Sequence, residues 1–147
     1  MIKVFFDSSV LFSAISSDKG AAYRLAYLTK MRKIMGIATL NVFLEVERNK
    51  QKLRESVNIQ EFFEESLIII REKITEAEIK EFERFIEEKD AHVLAGAILS
   101  GCDYLVTLDK KHINNSRVKK KNKRVKIISP GDLVKLIASD EERGIIE

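Results

Sequence analysis

The sequence predicts an α/β fold: one domain on a central, mainly parallel sheet of about five strands. Five short runs rich in β-branched, aromatic and aliphatic residues, at 2–6, 35–38, 67–70, 104–107 and 125–128, have strand character. Helical patterns separate them, and alternation of strand and helix implies parallel pairing. The chain has 147 residues, 45% of them hydrophobic, which suits one aliphatic core. The domain is expected to span 1–138, with 139–147 as a charged C-terminal tail.

Residues 2–6 read as a buried strand, and Asp7-Ser8-Ser9 supplies the capping chemistry that starts a helix. The helical pattern runs to about residue 34, broken by turn residues at 16–20. After the second strand, Thr39 or Asn41 caps a helix to about residue 53, and another helix is expected over 59–65. Thr75 and Glu78 form a capping box that opens a charged helix with Ile79, Phe82, Phe85 and Ile86 on one face. Asp90 precedes a small-residue helix over 91–100, suited to close packing on a sheet, with Gly101 as its C′ residue. After the fourth and fifth strands, Pro130 enters a closing helix at its first turn.

Charged residues make up 33% of the chain, but 26 Lys and Arg face 23 Asp and Glu, so the net charge of +3 does not by itself point to nucleic acid. Cys102 is the single cysteine, so no intrachain disulfide can form; with no His or second thiol beside it, it reads as a packed thiol. The apolar runs at the N-terminus and at 66–70 are too short for a signal core or a membrane span. A cytoplasmic location is expected.

Four acids are placed to meet. Asp7 and Asp109 follow the carboxyl ends of predicted strands, where open parallel sheets form ligand sites. Asp90 starts the helix leading into the Asp109 strand, and Glu45 lies in the helix after strand two. Taken singly, Asp7 and Asp90 also read as N-caps, Asp109 as a turn residue and Glu45 as one solvated acid among many, with Glu47 a rival two residues on. Taken together, they cannot all stay ionised at close range without a cation. Oxygen ligands suit Mg²⁺ or Mn²⁺, and the lack of a His pair or thiol cluster argues against zinc. Such ions activate water and stabilise a leaving 3′ oxygen, so phosphodiester hydrolysis is the expected chemistry.

Three motifs resemble those of the PIN-domain family of metal-dependent nucleases. The first is Val4-Phe5-Phe6-Asp7-Ser8-Ser9-Val10-Leu11, the second Val42-Phe43-Leu44-Glu45-Val46. The third joins Lys89-Asp90-Ala91-His92-Val93-Leu94-Ala95-Gly96-Ala97 to Gly101-Cys102-Asp103-Tyr104-Leu105-Val106-Thr107-Leu108-Asp109. Ile128-Ser129-Pro130-Gly131-Asp132-Leu133 is similar to the family's last strand and helix entry. The resemblance implies a three-layer α/β/α sandwich and Mg²⁺- or Mn²⁺-dependent cleavage of RNA. It makes Asp7, Glu45, Asp90 and Asp109 the catalytic, metal-binding acids, Ser9 and Thr107 polar supports, and Asp103 a further acid of lower rank. The size is similar to the stand-alone ribonuclease toxins of the virulence-associated protein C type, which implies an antitoxin partner and a homodimer.

The basic run over 117–126 reads either as a grip on RNA phosphates or as a solvated loop. The RNA-binding candidates are Lys110, Lys111, Arg117, Lys119 and Lys120. His92 and His112 lack a spacing that marks a base or a metal ligand, and the Phe62-Phe63 and Phe82/Phe85 aromatics read as core or as part of a dimer face. The alternative to a nuclease is a regulatory domain, either a PIN-like fold that binds RNA without cutting or a receiver-like one. A receiver needs a Lys after a later strand, whereas Lys110 and Lys111 follow Asp109.

Overall fold

A computed structural model describes residues 1–144; the last three residues of the expected tail, 145–147, lie outside the described residues. Five strands, β1 (Lys3–Phe6), β2 (Met35–Thr39), β3 (Ile69–Arg71), β4 (Tyr104–Val106) and β5 (Lys126–Ile128), form one sheet. Its order is β3-β2-β1-β4-β5, and every neighbouring pair is parallel, as the strand and helix alternation implies. β1 is central. The chain builds outward from β1 through β2 to β3, then crosses to the other side for β4. The carboxyl ends of β1 and β4 therefore flank the point where the winding reverses, the usual ligand crevice of such sheets.

Helices cover both faces. α1 (Ser8–Ser16) and α2 (Ala21–Lys30) follow β1, α3 (Leu40–Arg48) follows β2, and α4 (Ile59–Ser66) precedes β3. α5 (Glu76–Lys80) and α6 (Ala91–Leu99) lie between β3 and β4, α7 (Ser116–Lys121) precedes β5, and α8 (Pro130–Glu142) closes the chain, running across the expected domain boundary. α6 packs across β1, β2 and β4, while α2 packs against α1 and α8. The strand period of two divides β1 between these layers: the Phe5 ring meets Gly96 of α6, and the Phe6 ring lies beside Gly36 and Thr29 of α2. Both rings are fully buried in one aliphatic core. Among the described residues, no helix is long and apolar enough to cross a membrane.

Several element boundaries differ from expectation for local reasons. Leu67 adopts a left-handed conformation (φ 63°) as the C-cap of α4, so β3 starts at Ile69 and not at 67. The helix expected to reach residue 53 stops at Arg48 and continues as a 3₁₀ turn, Lys50–Lys52. Thr75 and Glu78 do form a capping box, but α5 ends at Lys80. There the Phe82 and Phe85 amides bond carbonyls three residues back, which tightens the chain and turns Phe82 and Ile86 into the core. The basic run is not a simple loop: Asn115 caps α7 through the Val118 amide, and Val118 is fully buried beneath the exposed lysines. Gly101, at φ +68°, ends α6 with its amide on Ile98, while the Cys102 amide reaches the Ala97 carbonyl.

Candidate metal centre

The centre begins where β1 ends. Asp7 still continues the ladder, its amide bonding the Val106 carbonyl at 3.1 Å, and its extended backbone makes it the N-cap of α1. Its carboxylate is buried and fully engaged: Oδ1 accepts from the Ser8 amide at 2.8 Å, and Oδ2 accepts from Ser9 Oγ at 3.0 Å and Thr107 Oγ1 at 2.7 Å. Burial pushes the Asp7 carboxyl above its ordinary value, and Glu45 adds to the rise against the pull of those three donors.

Ser9 and Thr107 tie this carboxylate to the loop leaving β4. Ser9 Oγ accepts from the Leu108 amide at 3.1 Å, and Thr107 Oγ1 from the Asp109 amide at 3.1 Å. Each hydroxyl thus donates to Asp7 and accepts from the backbone that carries Asp109. The Asp109 side chain folds onto the next turn, Oδ1 accepting from the His112 amide at 2.8 Å and Oδ2 lying 3.2 Å from His112 Nδ1. Burial works to raise the Asp109 carboxyl, but the His112 contacts outweigh it and hold it below the ordinary value.

Asp90 ends a 3₁₀ turn, Glu88–Asp90, that leads into α6, and its side chain makes no capping bond. The N-cap role open to it from sequence is therefore not the one it fills. Its Oδ2 is buried with no hydrogen-bond partner. Burial raises the Asp90 carboxyl; Lys89 and His112 oppose that rise, while Asp109 and Asp7 add to it. Donor atoms of Asp90, Asp109 and His112 all lie within 4.8 Å of one another.

Glu45 approaches from α3. Its Oε2 accepts from Ser8 Oγ at 3.2 Å, and its Oε1 lies 2.5 Å from His92 Nε2, a close contact with α6. Burial raises this carboxyl too, but His92 and Ser8 outweigh it and leave the group below its ordinary value. Glu47 instead lines a surface groove with Lys50 and Arg54, so it is Glu45 that faces Ser8 and His92.

Asp103 is not brought to this edge. It precedes β4, where its Oδ2 accepts from the Lys3 amide at 2.8 Å, locking the amino-terminal ends of β1 and β4 together at the opposite side of the sheet. Lys110 and Lys111 follow Asp109 and are exposed, as are Arg117, Lys119 and Lys120 on α7. Lys119 borders a groove along β5 with Lys123, Lys126 and Tyr104, placing it on the flank of the sheet. Two residues passed over in the sequence also belong to the geometry: His92, in the first turn of α6, pairs with Glu45, and His112 holds Asp109. The signal for His112 is its i+3 spacing from an acid just past a strand; His92 stands two residues beyond Asp90.

An orphaned Asp90 oxygen amid acids that raise one another's proton affinity fits a divalent cation held largely by oxygen.

The model of the PIN domain family matches residues 3–111. No curated protein sequence is significantly similar to this chain. Among solved structures, a chain of VapBC2 from Rickettsia felis, crystallised bound to a DNA fragment from their promoter, is similar in fold. The TM-score is 0.62 at 15% identity, over 87% of this chain and 98% of that one.

Proposed function

Because the chain belongs to the PIN domain family, we propose that it is a Mg²⁺- or Mn²⁺-dependent endoribonuclease whose catalytic acids are Asp7, Glu45, Asp90 and Asp109. The observation that carries this reading is the convergence of those acids at the winding reversal, with Asp90 Oδ2 buried and unpartnered. When bound there, the cation supplies Lewis-acid activation of water and neutralises charge on the scissile phosphate.

The chain's own residues divide the remaining work. Asp90 and Asp109 offer oxygens to the cation, and Asp7 supplies negative charge at the crevice floor. Ser9 and Thr107 keep Asp7 oriented and ionisable despite its burial, because hydroxyl donors favour the charged form. His92 and Ser8 hold Glu45 against the same edge. Lys110 and Lys111, exposed just beyond Asp109, attract the RNA backbone to it. A receiver-like role for Asp7 is disfavoured, since both its oxygens already accept hydrogen bonds.

The likeness to a VapBC2 chain supports an antitoxin protein as partner. A homodimer is supported by a groove between α2 and α4 where exposed Tyr23 and Tyr27 meet Phe62.

Incubating labelled single-stranded RNA with the protein and Mn²⁺ or Mg²⁺ tests the activity, with a chelator and the Asp7→Asn and Asp90→Asn variants as controls. Cleavage that needs the metal and falls at least about a hundredfold in both variants is expected. Cleavage that persists with the chelator, or unchanged in both variants, would overturn it, and metal-dependent RNA binding without cleavage would identify a non-catalytic PIN domain.

A further inference from the structure

We propose that His112 is a nitrogen ligand of the cation held by Asp90 and Asp109, giving the centre a preference for a first-row transition ion such as Mn²⁺ over Mg²⁺. The inference deepens the metal-dependent reading above and rests on it.

Geometry supplies the first support. Single donor atoms of Asp90, Asp109 and His112 lie within 4.8 Å of one another, close enough for one ion to touch all three after small side-chain rotations. The backbone beneath the imidazole is also held in place. The turn carrying it is closed by the His112 amide on Asp109 Oδ1 at 2.8 Å and by the Asn114 amide on the Asp109 carbonyl at 2.8 Å, and the next residue, Ile113, is buried. A side chain carried on a fixed turn has only its own rotamers to order on coordination.

The pattern of hydrogen bonds supplies the second support. If His112 were present only to neutralise the acids, it would be expected to donate to the acid that lacks a partner. It does not. Nδ1 lies 3.2 Å from Asp109 and Nε2 lies 3.9 Å from Glu87, while Asp90 Oδ2 stays buried and unpartnered. A cation among the three would satisfy that oxygen and take up an imidazole lone pair at once.

The preference follows from ligand chemistry. Mg²⁺ takes oxygen donors and keeps much of its water, so an imidazole adds little to its binding. Ions of the first transition row accept carboxylate and imidazole together, as in sites of two histidines and one carboxylate, and Mn²⁺ is their most oxygen-tolerant member. His92 is engaged with Glu45 and is therefore the control histidine.

The test uses the full chain, stripped of metal and titrated separately with Mn²⁺ and Mg²⁺, as wild type and as His112→Gln, His92→Gln and Asp90→Asn. His112→Gln is expected to weaken Mn²⁺ binding by at least about tenfold, the lower end of what losing even a ligand's hydrogen-bond partner costs, with Mg²⁺ binding changed by less than about twofold. Pulsed electron paramagnetic resonance of the Mn²⁺-loaded wild type should show imidazole ¹⁴N coupling, lost in His112→Gln and kept in His92→Gln. If His112→Gln fails to fold, coupling kept in His92→Gln decides the matter, because His92 and His112 are the two histidines of the chain. Mn²⁺ bound without ¹⁴N coupling, or bound equally well by His112→Gln while Asp90→Asn loses it, would overturn the role of His112 and leave the metal-dependent reading standing. A wild type that binds neither ion overturns both.

Discussion

Replacing Thr107 by Val tests whether one buried hydroxyl holds the Asp7 carboxylate in the fold. The two side chains have nearly the same shape, and Thr107 is fully buried, so packing is conserved while two hydrogen bonds disappear. The bond to Asp7 Oδ2, at 2.7 Å, is charge-assisted and worth about 1.5–3 kcal/mol. The bond accepted from the Asp109 amide, at 3.1 Å, is neutral and worth about 0.5–1.5 kcal/mol. Together they predict a loss of about 2–4.5 kcal/mol at neutral pH in metal-free protein, a fall in Tm of roughly 5–15 °C for a chain of this length. The sign of the pH dependence follows from Asp7. Its folded-state pKa is raised, chiefly by burial, so the ionised group destabilises the fold above that pKa, and the penalty is relieved as pH falls through it toward the ordinary carboxyl value. Removing the Thr107 donor raises this pKa further. The deficit of the variant should therefore be largest at neutral to mildly alkaline pH and narrow as the solution is acidified. Urea unfolding of both proteins across that range, with unchanged m, measures it. A variant within about 0.5 kcal/mol of wild type at neutral pH, or a deficit that grows on acidification, would refute the reasoning.

Four further outcomes are expected. Gly96→Ala places a Cβ 2.7 Å from Phe5 Cζ and 3.0 Å from Thr39 Cγ2, both in the core; overpacking should exceed the helix-propensity gain and cost about 1–2 kcal/mol in urea unfolding. Gly131→Ala, in α8 with nothing within 4 Å of the new Cβ, should instead raise stability by about 0.5–1 kcal/mol in the same assay. Burial pushes the Cys102 thiol up to about 12, so at pH 8 a disulfide reagent should label it far more slowly in the native than in the guanidinium-unfolded chain; equal rates would place it at the surface. Thr75→Ala removes the capping box of α5, and thermal denaturation should register a loss of about 1 kcal/mol.

Much of the fold was legible in the sequence because its signals are local. Asp7, Thr39 and Ser129 all serve as N-caps where helices begin, and Gly101 takes the left-handed conformation expected of a C′ residue. β1, β2 and β4 were found because buried parallel strands are continuous apolar runs. Boundaries moved where tertiary contact overrode periodicity: the face of Ile79, Phe82 and Ile86 reads as a helix, yet the chain buries Phe82 and Ile86 through tightened turns. At the site, the placement of acids after strands foretold which of them approach the crevice. Asp103 was misplaced because it stands before β4, not after it, and so faces the other end of the sheet. The histidine contacts were not legible. His92 meets Glu45 across 47 positions of chain, between α3 and α6, and no local pattern records that crossing.

The reversal of winding beside β1 also sets a timetable. Asp7 and Thr107, hydrogen-bonded in the folded chain, stand 100 residues apart in sequence, while Ser8 and Glu45 stand 37 apart. A chain synthesised as far as β3 holds the first two acids and neither of the last two. The full crowding of like charge is thus deferred until β4 docks beside the central strand. The step that seats β4 against β1 also completes the acidic crevice, so a molecule made or folded only as far as β3 carries only half of it.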